Sequence, residues 1–339
     1  MSLLRRGTEE REGTVKRSKA GIVVVIIGVV LLILCPIFKW GIAPAFIKLP
    51  DDLKIKSVYQ GTTKMYVDPA TLAILPADQP VVVPIVISRE DASVPSKSSS
   101  GVALVKETTK VVGPAGKVFN DYTHYYALER TTAKSVSGHN SDMNRTGWTL
   151  QWPFGSGKQT YPVWDDDTGK TSPAKFVKVS KISGLKLKDV TVYVYHVDSE
   201  FPFLKPPLGL PDKLTGAQVK ALLGNPNLAL SDTEAFPITY IKRIVATVAV
   251  EPETGTVADI SDNTETYSVD ASAIGMGNIK VAEIHYAQTP LNVANNVDDT
   301  KNYLDQISLA TMWIPLILLI VGVVLVIIGG VLLLRKKPA

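Results

Sequence analysis

Three consecutive aspartates, Asp165 to Asp167, are the residues of this sequence most suggestive of chemistry. Neighbouring carboxylates can bind a divalent cation or divide the roles of acid and base. A calcium loop of the helix-loop-helix type needs oxygen ligands at positions 1, 3 and 5, glycine at 6 and glutamate at 12. Counted from Asp165, positions 5, 6 and 12 are Gly169, Lys170 and Phe176, so the pattern fails there. Asp165 and Asp167 remain candidates for a weak cation site only.

The aspartates also belong to a recurring pattern, in which an acidic residue is followed three positions later by threonine. The four copies start at Asp68, Glu129, Asp165 and Glu251. Strand-like sequence on both sides and an acid that accepts local N–H bonds are typical of a hairpin loop around a type I turn. Gly169 and Gly255 hold the left-handed position of two copies. Leu72 and Ala133 hold it in the others, so we expect those turns to close differently.

Other residue types that support catalysis or metal binding are scattered. The four histidines are His124, His139, His196 and His285. None of them has the His-x-x-x-His spacing of a zinc site, and no cysteine accompanies them. The glycine-rich stretch 155–157 lacks the spacer of a phosphate-binding loop, and we expect it to be a hairpin tip. The sequence therefore predicts a non-enzymatic protein with no catalytic residue and no cofactor.

Two apolar segments are long enough to cross a membrane. Residues 20–38 and 314–334 run for 19 and 21 residues without a charge, sufficient for a helix across roughly 30 Å of hydrocarbon. Basic residues cluster in the tails 1–19 and 335–339, and such clusters mark cytoplasmic flanks. We therefore expect a two-pass cell-membrane protein with both termini in the cytoplasm and its main domain outside. Trp40 and Trp313 are the expected residues at the outer membrane interface.

This topology divides the chain into segments. They are a cytoplasmic basic tail 1–19, a first span 20–40, an extracytoplasmic β-rich domain 41–312 with a helical stalk at 289–309, a second span 313–334 and a cytoplasmic basic tail 335–339. A small-residue pattern ending at Ala45 leaves open a cleavage of the first span as a signal peptide. The tails hold nine of the 36 basic residues and three of the 32 acidic ones, which leaves 27 basic and 29 acidic residues between them. A domain with this charge is no nucleic-acid binder.

Small residues recur at one face of each span. Gly21 and Gly28 are seven residues apart, as are Gly322 and Gly329, and this spacing returns to nearly the same helix face. Because glycines let membrane helices approach closely, we predict that these four line a packing seam. Counted from the basic flanks at 1.5 Å per residue, Gly28 lies roughly 13 Å deep and Gly329 roughly 9 Å, which would let these two meet.

Between the spans the sequence favours β-structure. Short segments rich in Val, Ile, Tyr and Thr are separated by Gly, Pro, Asp and Ser, and the alternation is clearest at 189–197. Helices are few; one candidate follows Thr289, which can cap it. The only cysteine, Cys35, lies in the first span, so a hydrophobic core must hold the domain without disulfides. The expected fold class is mainly β, a large antiparallel extracytoplasmic β-domain flanked by two transmembrane helices.

Residues 147–185 carry a distinctive series: a strand with Gly-Trp and Leu, then Pro-Phe, a basic tip, Thr-Tyr-Pro, Trp-Asp and Gly-Leu. This series resembles the central signature of the actinobacterial porin PorA-like family, a group otherwise described as a domain of unknown function. The resemblance extends over most of the chain and implies an envelope location, but it brings no catalytic or binding residues. A porin barrel needs apolar lipid-facing strand positions, whereas strands here carry lysine on both faces, as at 173–189.

The expected function is that of a non-enzymatic envelope protein whose external domain binds or passes a lipid or another hydrophobic envelope component. The reason is an analogy of layout with scavenger-receptor-like proteins, in which a sheet is tethered at two points beside the bilayer. An oligomeric channel, as the family resemblance implies, and a structural or assembly role are the alternatives. The expected partners are membrane lipids, a second copy of the chain or other envelope proteins, and no nucleic acid.

The topology predicts which positions react with a membrane-impermeant maleimide in intact cells. In a Cys35→Ser background, Ser98→Cys should be labelled from outside, and Ser2→Cys only after lysis, because Ser98 lies between the spans and Ser2 before the first. Labelling of Ser2→Cys on intact cells would contradict the orientation. Loss of the Ser2→Cys segment from the mature protein would show that the first span is cleaved.

Overall fold

The computed structural model describes residues 19–68, 71, 73–76, 78–186, 188–207, 210–272 and 277–334. The tails expected at 1–18 and 335–339, and position 72 of the recurring turn, lie outside the described residues. The chain forms two units. The membrane unit takes the residues up to Phe46 and from Asp305 onward, and the β-domain runs Ile47–Leu304.

The described residues contain four α-helices. These are α1 (Lys19–Pro36), α2 (Gly216–Leu222), α3 (Pro290–Ser308) and α4 (Ile314–Leu334). A π-helix, Ile37–Ile42, follows α1, and another, Leu309–Trp313, precedes α4. The helical stretches that include α1 and α4 are long and apolar enough to cross a membrane.

The two apolar helices of the membrane unit pack through their glycines. A Cβ atom at Gly28 would lie 2.8 Å from the carbonyl oxygen of Gly322, and one at Gly21 would lie 3.1 Å from that of Gly329. The expectation that Gly28 meets Gly329 is therefore wrong, because backbone contact and not the position of the basic flanks sets the register. The helices run antiparallel, and each glycine lies opposite a glycine of the other.

The same register continues for another seven residues in each helix. The Cys35 thiol donates a hydrogen bond to the carbonyl oxygen of Pro315 at 3.3 Å. Pro315, Gly322 and Gly329 are the buried residues of α4, although almost every other side chain of that helix is apolar. The glycines thus let Val25, Leu32 and Val326 of the two helices pack against the opposite backbone, as expected where the surrounding solvent is lipid.

The β-domain contains one large antiparallel sheet. Its ten strands follow the order β4-β3-β2-β1-β12-β11-β10-β7-β6-β5. The strands are β1 (Lys54–Met65), β2 (Val81–Ser93), β3 (Val102–Val112), β4 (Val118–Glu129), β5 (Tyr161–Asp165), β6 (Lys170–Ser183), β7 (Asp189–Pro202), β10 (Tyr240–Val250), β11 (Val257–Val269) and β12 (Ile279–Gln288). Two short strands, β8 (Lys213–Thr215) and β9 (Ala235–Pro237), form a separate pair. The mainly β fold predicted from the sequence is confirmed.

The sheet buries apolar residues on both faces where β7 and β10 pair. Val192 and Val194 contact Ala249 and Val297, which brings α3 against one face. The neighbouring Tyr195 points the opposite way, as successive strand residues do. It packs with Trp152, Tyr161 and Val250. The alternation at 189–197 therefore reflects two cores and not one apolar and one wet face.

The sheet curls so that its two edge strands are joined. The Tyr126 hydroxyl on β4 donates a 2.7 Å hydrogen bond to Asp166 in the turn after β5. The segment between β4 and β5 also contacts both edges: the Val136 N–H donates to Ala127 on β4, and the Trp148 N–H donates to Pro162 on β5. These bonds cover part of each edge, which shortens the open ladder that would invite aggregation.

The expectation of a hairpin tip at 155–157 is wrong. Residues 149–160 form no strand, and their backbone groups bond elsewhere. The Trp152 N–H donates to Gly255, and the Ser156 N–H donates to Pro252, so the segment lies along the turn after β10. Trp152, 2% exposed, fills the core there. Its aromatic packing outweighs the local preference of the sequence for a strand.

The glycine contacts predict that leucine is tolerated at position 330 but not at the adjacent position 329. Gly28→Leu and Gly329→Leu should each destabilise the helix pair, by about 1–3 kcal/mol as for an overpacked core, because no side chain fits between the backbones. Gly330→Leu should have no effect, since a Cβ there meets nothing within 4 Å. Thermal unfolding of the full chain in mild detergent measures the difference. Equal melting temperatures for Gly329→Leu and Gly330→Leu would show that the glycines do not form the contact.

Candidate functional site

The main cavity of the β-domain lies where the sheet splits. The strand β12 pairs with β1 only from Tyr59 onward and with β11 only from Asn263 onward. The first residues of β1 and β11 therefore lack β12 as a neighbour, and α3 begins at this point. The Asn292 side chain accepts a hydrogen bond from the Val58 N–H, and the Gln288 side chain accepts one from the Ile260 N–H. Side-chain amides thus replace the missing strand partners.

The cavity has a volume of about 940 Å³. Apolar atoms form most of its surface, and the apolar side chains in its wall include Leu53, Tyr59, Trp152, Val197, Val248 and Val257. The volume lies within the roughly 300–1,000 Å³ range of ligand pockets, which are typically apolar with a few placed polar groups. An acyl chain or another elongated apolar group can be accommodated.

The helix α3 contributes more polar side chains to the wall than any one strand. They are Asn292, Asn295, Asn296, Asp298, Asp299, Thr300 and Tyr303. Thr289 caps the helix by accepting a hydrogen bond from the Asn292 N–H. Val297 is fully buried and anchors the helix to the sheet. The cavity is therefore amphipathic, with a polar helix along one part of its wall.

An ion pair on β2, between Arg89 and Asp91, forms another part of the cavity wall. Arg89 lies 3.0 Å from an oxygen of Asp91 and 3.5 Å from one of Glu107. Burial raises the pKa of the Asp91 carboxyl above its usual value, and the nearby Arg89 charge only partly offsets this. The guanidinium thus already has two carboxylate partners.

The three aspartates do not line this cavity, and each is paired with a basic side chain. The buried Lys242 ammonium on β10 lies 3.0 Å from Asp165, 2.6 Å from Asp167 and 3.2 Å from Glu265. Burial alone would lower the lysine pKa, but the three carboxylates raise it well above its usual value. Among the residues that the structure describes, no group of three metal-binding side chains occurs. The lysine therefore occupies the position between Asp165 and Asp167 that a cation would take.

Asp166 forms the link between the sheet edges. Arg145, 2% exposed, donates to both carboxylate oxygens of Asp166, at 2.7 and 3.0 Å. Trp164 donates its indole N–H to the same carboxylate, at 2.7 Å. Burial acts to raise the Asp166 pKa, but the hydrogen bonds and charge of Arg145 hold it below the usual value. We call Asp165 to Asp167 with Lys242 and Arg145 the edge clasp, since it joins β4, β5, β6 and β10.

The four recurring turns share one closure. The N–H of Asp68 bonds to Ala73, that of Glu129 to Lys134 and that of Glu251 to Thr256, each five residues on. Asp165 pairs with Lys170 in the same way. The threonine hydroxyl donates to the acid in the copies at Glu129, Asp165 and Glu251. In the copy at Asp68, the Thr71 N–H donates to the carboxylate at 2.9 Å.

The left-handed position of these turns does not require glycine. Gly169 and Gly255 have φ values of +63° and +69°, and Ala133 has +58°. The expectation that the Glu129 turn closes differently is wrong. Glu129 accepts from Ala133 just as Asp165 accepts from Gly169. The shared acid and threonine contacts hold alanine in a conformation that it seldom adopts.

The other predicted residues lie apart from the cavity. Gly21, Gly28, Gly322 and Gly329 lie in the membrane unit, as do Trp40 and Trp313. The two tryptophans occupy the π-helical segments and are 74% and 49% exposed. Sequence reasoning missed the polar face of α3 and the partners Lys242 and Arg145. The polar residues of α3 recur at helical spacing from 292 to 300, which is the signal that could have found them.

Comparison with known proteins gives one finding. Residues 20–331 match the family model described as Porin PorA, which is nearly the whole chain. A search of curated proteins finds no match.

The edge clasp predicts different effects for two adjacent basic residues of β10. Lys242→Met should destabilise the protein by about 3–5 kcal/mol, because it leaves the largely buried carboxylates of Asp165 and Glu265 without a counter-charge. Arg243→Met should cost less than about 1 kcal/mol, because its partner Asp198 is half exposed. Urea unfolding of the full chain in detergent measures both. Similar losses for the two variants would contradict the clasp.

The same full-length protein can be used to test whether Asp165 and Asp167 bind a metal cation. Calcium or a chelator should change the melting temperature by less than about one degree, because Lys242 already neutralises the carboxylates. A larger calcium-dependent shift that Asp165→Ala abolishes would establish a metal site at Asp165 and Asp167.

Proposed function

Since the chain belongs to the Porin PorA family, we propose that it is an envelope membrane protein whose β-domain binds an amphipathic lipid in the cavity beside α3. The family and the two apolar helices support a porin-like, non-enzymatic membrane protein. The orientation with both termini in the cytoplasm and the β-domain outside is part of this proposal, and rests on the basic tails.

The observation that carries the proposal is the cavity itself. A sheet that only stabilised the fold would fill its interior with its own side chains, as protein cores do. Here a space of about 940 Å³ remains between apolar strand residues and α3. A volume on the order of 300 Å³, a third of this one, would suffice for a ligand pocket.

A lipid would bind there for physical reasons. Apolar area removed from water contributes roughly 25 cal/mol per Å², and the wall offers apolar residues from β1, β7, β10 and β11. The polar side chains of α3 and β2 can meet a head group. The proposed partners are thus membrane lipids, with a second copy of the chain or other envelope proteins as possible further ones.

The family match favours a second candidate, an oligomeric channel. The membrane unit limits this function, because α1 and α4 pack closely against each other along their glycines. The exposed residues of these spans are apolar, including Ile26, Ile33, Ile320 and Ile327. A pore lined by such residues closes by dewetting. A channel would therefore need a lining contributed by other parts of several chains.

The two candidates differ in what accompanies the purified protein. Full-length protein in mild detergent should retain lipid detectable by mass spectrometry, and planar bilayers should show no steady conductance. Val257→Trp should reduce the retained lipid by filling the cavity. Val177→Trp is the matched control, since Val177 is a sheet valine that is 55% exposed.

Reproducible ion-conducting steps from pure protein, without retained lipid, would support the channel instead. Equal lipid retention by Val257→Trp and the control would place the lipid outside the cavity.

A further inference from the structure

Two side chains of α3 that line the cavity have a polar atom without a partner. Among the side chains that the structure describes, only Asn292 Nδ2 and Thr300 Oγ1 are buried without a hydrogen bond. Asn292 is 7% exposed and Thr300 2%. A buried polar group without a partner costs free energy of folding. Both residues line the cavity, so a bound group that shifts the side chains covering these atoms can satisfy them.

The orientation of these atoms follows from their surroundings. Asn292 Oδ1 accepts a 2.9 Å hydrogen bond from the Val58 N–H, which fixes the amide and leaves its Nδ2 as a free donor. A helical threonine often donates to the carbonyl four residues back. Thr300 makes no such bond. Its hydroxyl is free both to donate and to accept.

The spacing of the two atoms constrains what can reach both. Eight residues of α-helix separate Asn292 from Thr300, which corresponds to about 12 Å along the axis. Asn296 lines the cavity between them. One small head group, such as a glycerol hydroxyl, would reach only one of the two atoms. The matching group is elongated and carries several hydrogen-bonding groups.

The charges of the cavity favour a head group without charge. Arg89 is already bound by Asp91 and Glu107. The lysines of β1, Lys54 and Lys56, are paired with Glu90. A third lysine of the wall, Lys186, is exposed. The carboxylates Asp298 and Asp299 stand beside Thr300 on α3. An anionic head on α3 would meet these two carboxylates, and an ammonium head has no acceptor for the Asn292 Nδ2 donor.

We propose that the lipid bound in this cavity has an uncharged, hydroxyl-rich head, a sugar or polyol of at least two units, which hydrogen-bonds to Asn292 Nδ2 and Thr300 Oγ1. The inference rests on the proposed lipid-binding function and adds the class of the head group. The acyl chain then lies against the apolar strand residues, and the head lies along α3. Ordered water on the two atoms is the competing explanation.

The test uses two lipids with the same fluorescent acyl chain, one with a neutral disaccharide head and one with a carboxylate. Full-length protein in nanodiscs should bind the disaccharide lipid more tightly. Thr300→Val and Asn292→Asp should each weaken that binding by roughly two- to tenfold, the loss of one neutral hydrogen bond. Thr300→Val should leave binding of the carboxylate lipid unchanged, whereas Asn292→Asp should weaken it further, because it adds a third carboxylate to α3.

The variants are chosen to preserve the fold. Thr300→Val keeps the shape of the side chain, and Asn292→Asp keeps the oxygen that accepts from Val58. Thr300→Val should leave the melting temperature of the lipid-free protein unchanged or higher, since it removes an unpaired buried hydroxyl. Asn302→Asp is the matched control, because Asn302 is an exposed asparagine of α3.

The outcomes separate the two proposals. If Thr300→Val and Asn292→Asp bind the disaccharide lipid like Asn302→Asp, while Val257→Trp abolishes binding, water satisfies the two atoms and only the head-group inference fails. Equal or tighter binding of the carboxylate lipid also overturns the inference. If neither lipid binds, or if Val257→Trp binds both normally, the proposed function itself fails.

Discussion

Closure of the ten-stranded sheet is the constraint on which the rest of the β-domain depends. Asp166 accepts from Tyr126 of one edge strand and from Trp164 of the other, and Arg145 holds it in place. The buried Lys242 ties the same turn to β10. A twisted sheet curls by itself, but these bonds determine where its edges meet. The cavity lies on the inner face of the sheet that is curled in this way.

The cavity follows from the same architecture together with one short strand. Because β12 ends at Gln288, its neighbours β1 and β11 separate, and α3 enters at that point. Side-chain amides from Gln288 and Asn292 satisfy the exposed strand N–H groups. The helix that repairs the sheet is thus also the helix that gives the cavity its polar wall. Stability and the capacity to bind a polar head come from the same residues.

Local patterns were sufficient to predict much of this fold. The alternation at 189–197 gave a strand, and the seven-residue glycine spacing gave the faces on which α1 and α4 meet. The register of the glycines was predicted wrongly, because it is set by backbone contact between α1 and α4 and not by the distance of each glycine from the basic flanks.

The site could not be predicted because its determinants are distant in sequence. The cation of Asp165 and Asp167 is Lys242, which lies 77 and 75 residues away from them. The cavity depends on where β12 stops relative to β1 and β11, a property of the sheet register. The sequence around α3 was interpreted as a helical stalk, which gave its polar residues no role in a site. Only the packing of Val297 against β7 and β10 shows that the helix borders a cavity.

A density map of the full-length protein purified in mild detergent would test the central claim most directly. The account predicts an elongated density in the cavity, apolar along β1, β10 and β11, with a head within hydrogen-bonding distance of Asn292 Nδ2 and Thr300 Oγ1. A cavity that holds only water, or one that has collapsed onto its own side chains, would contradict it.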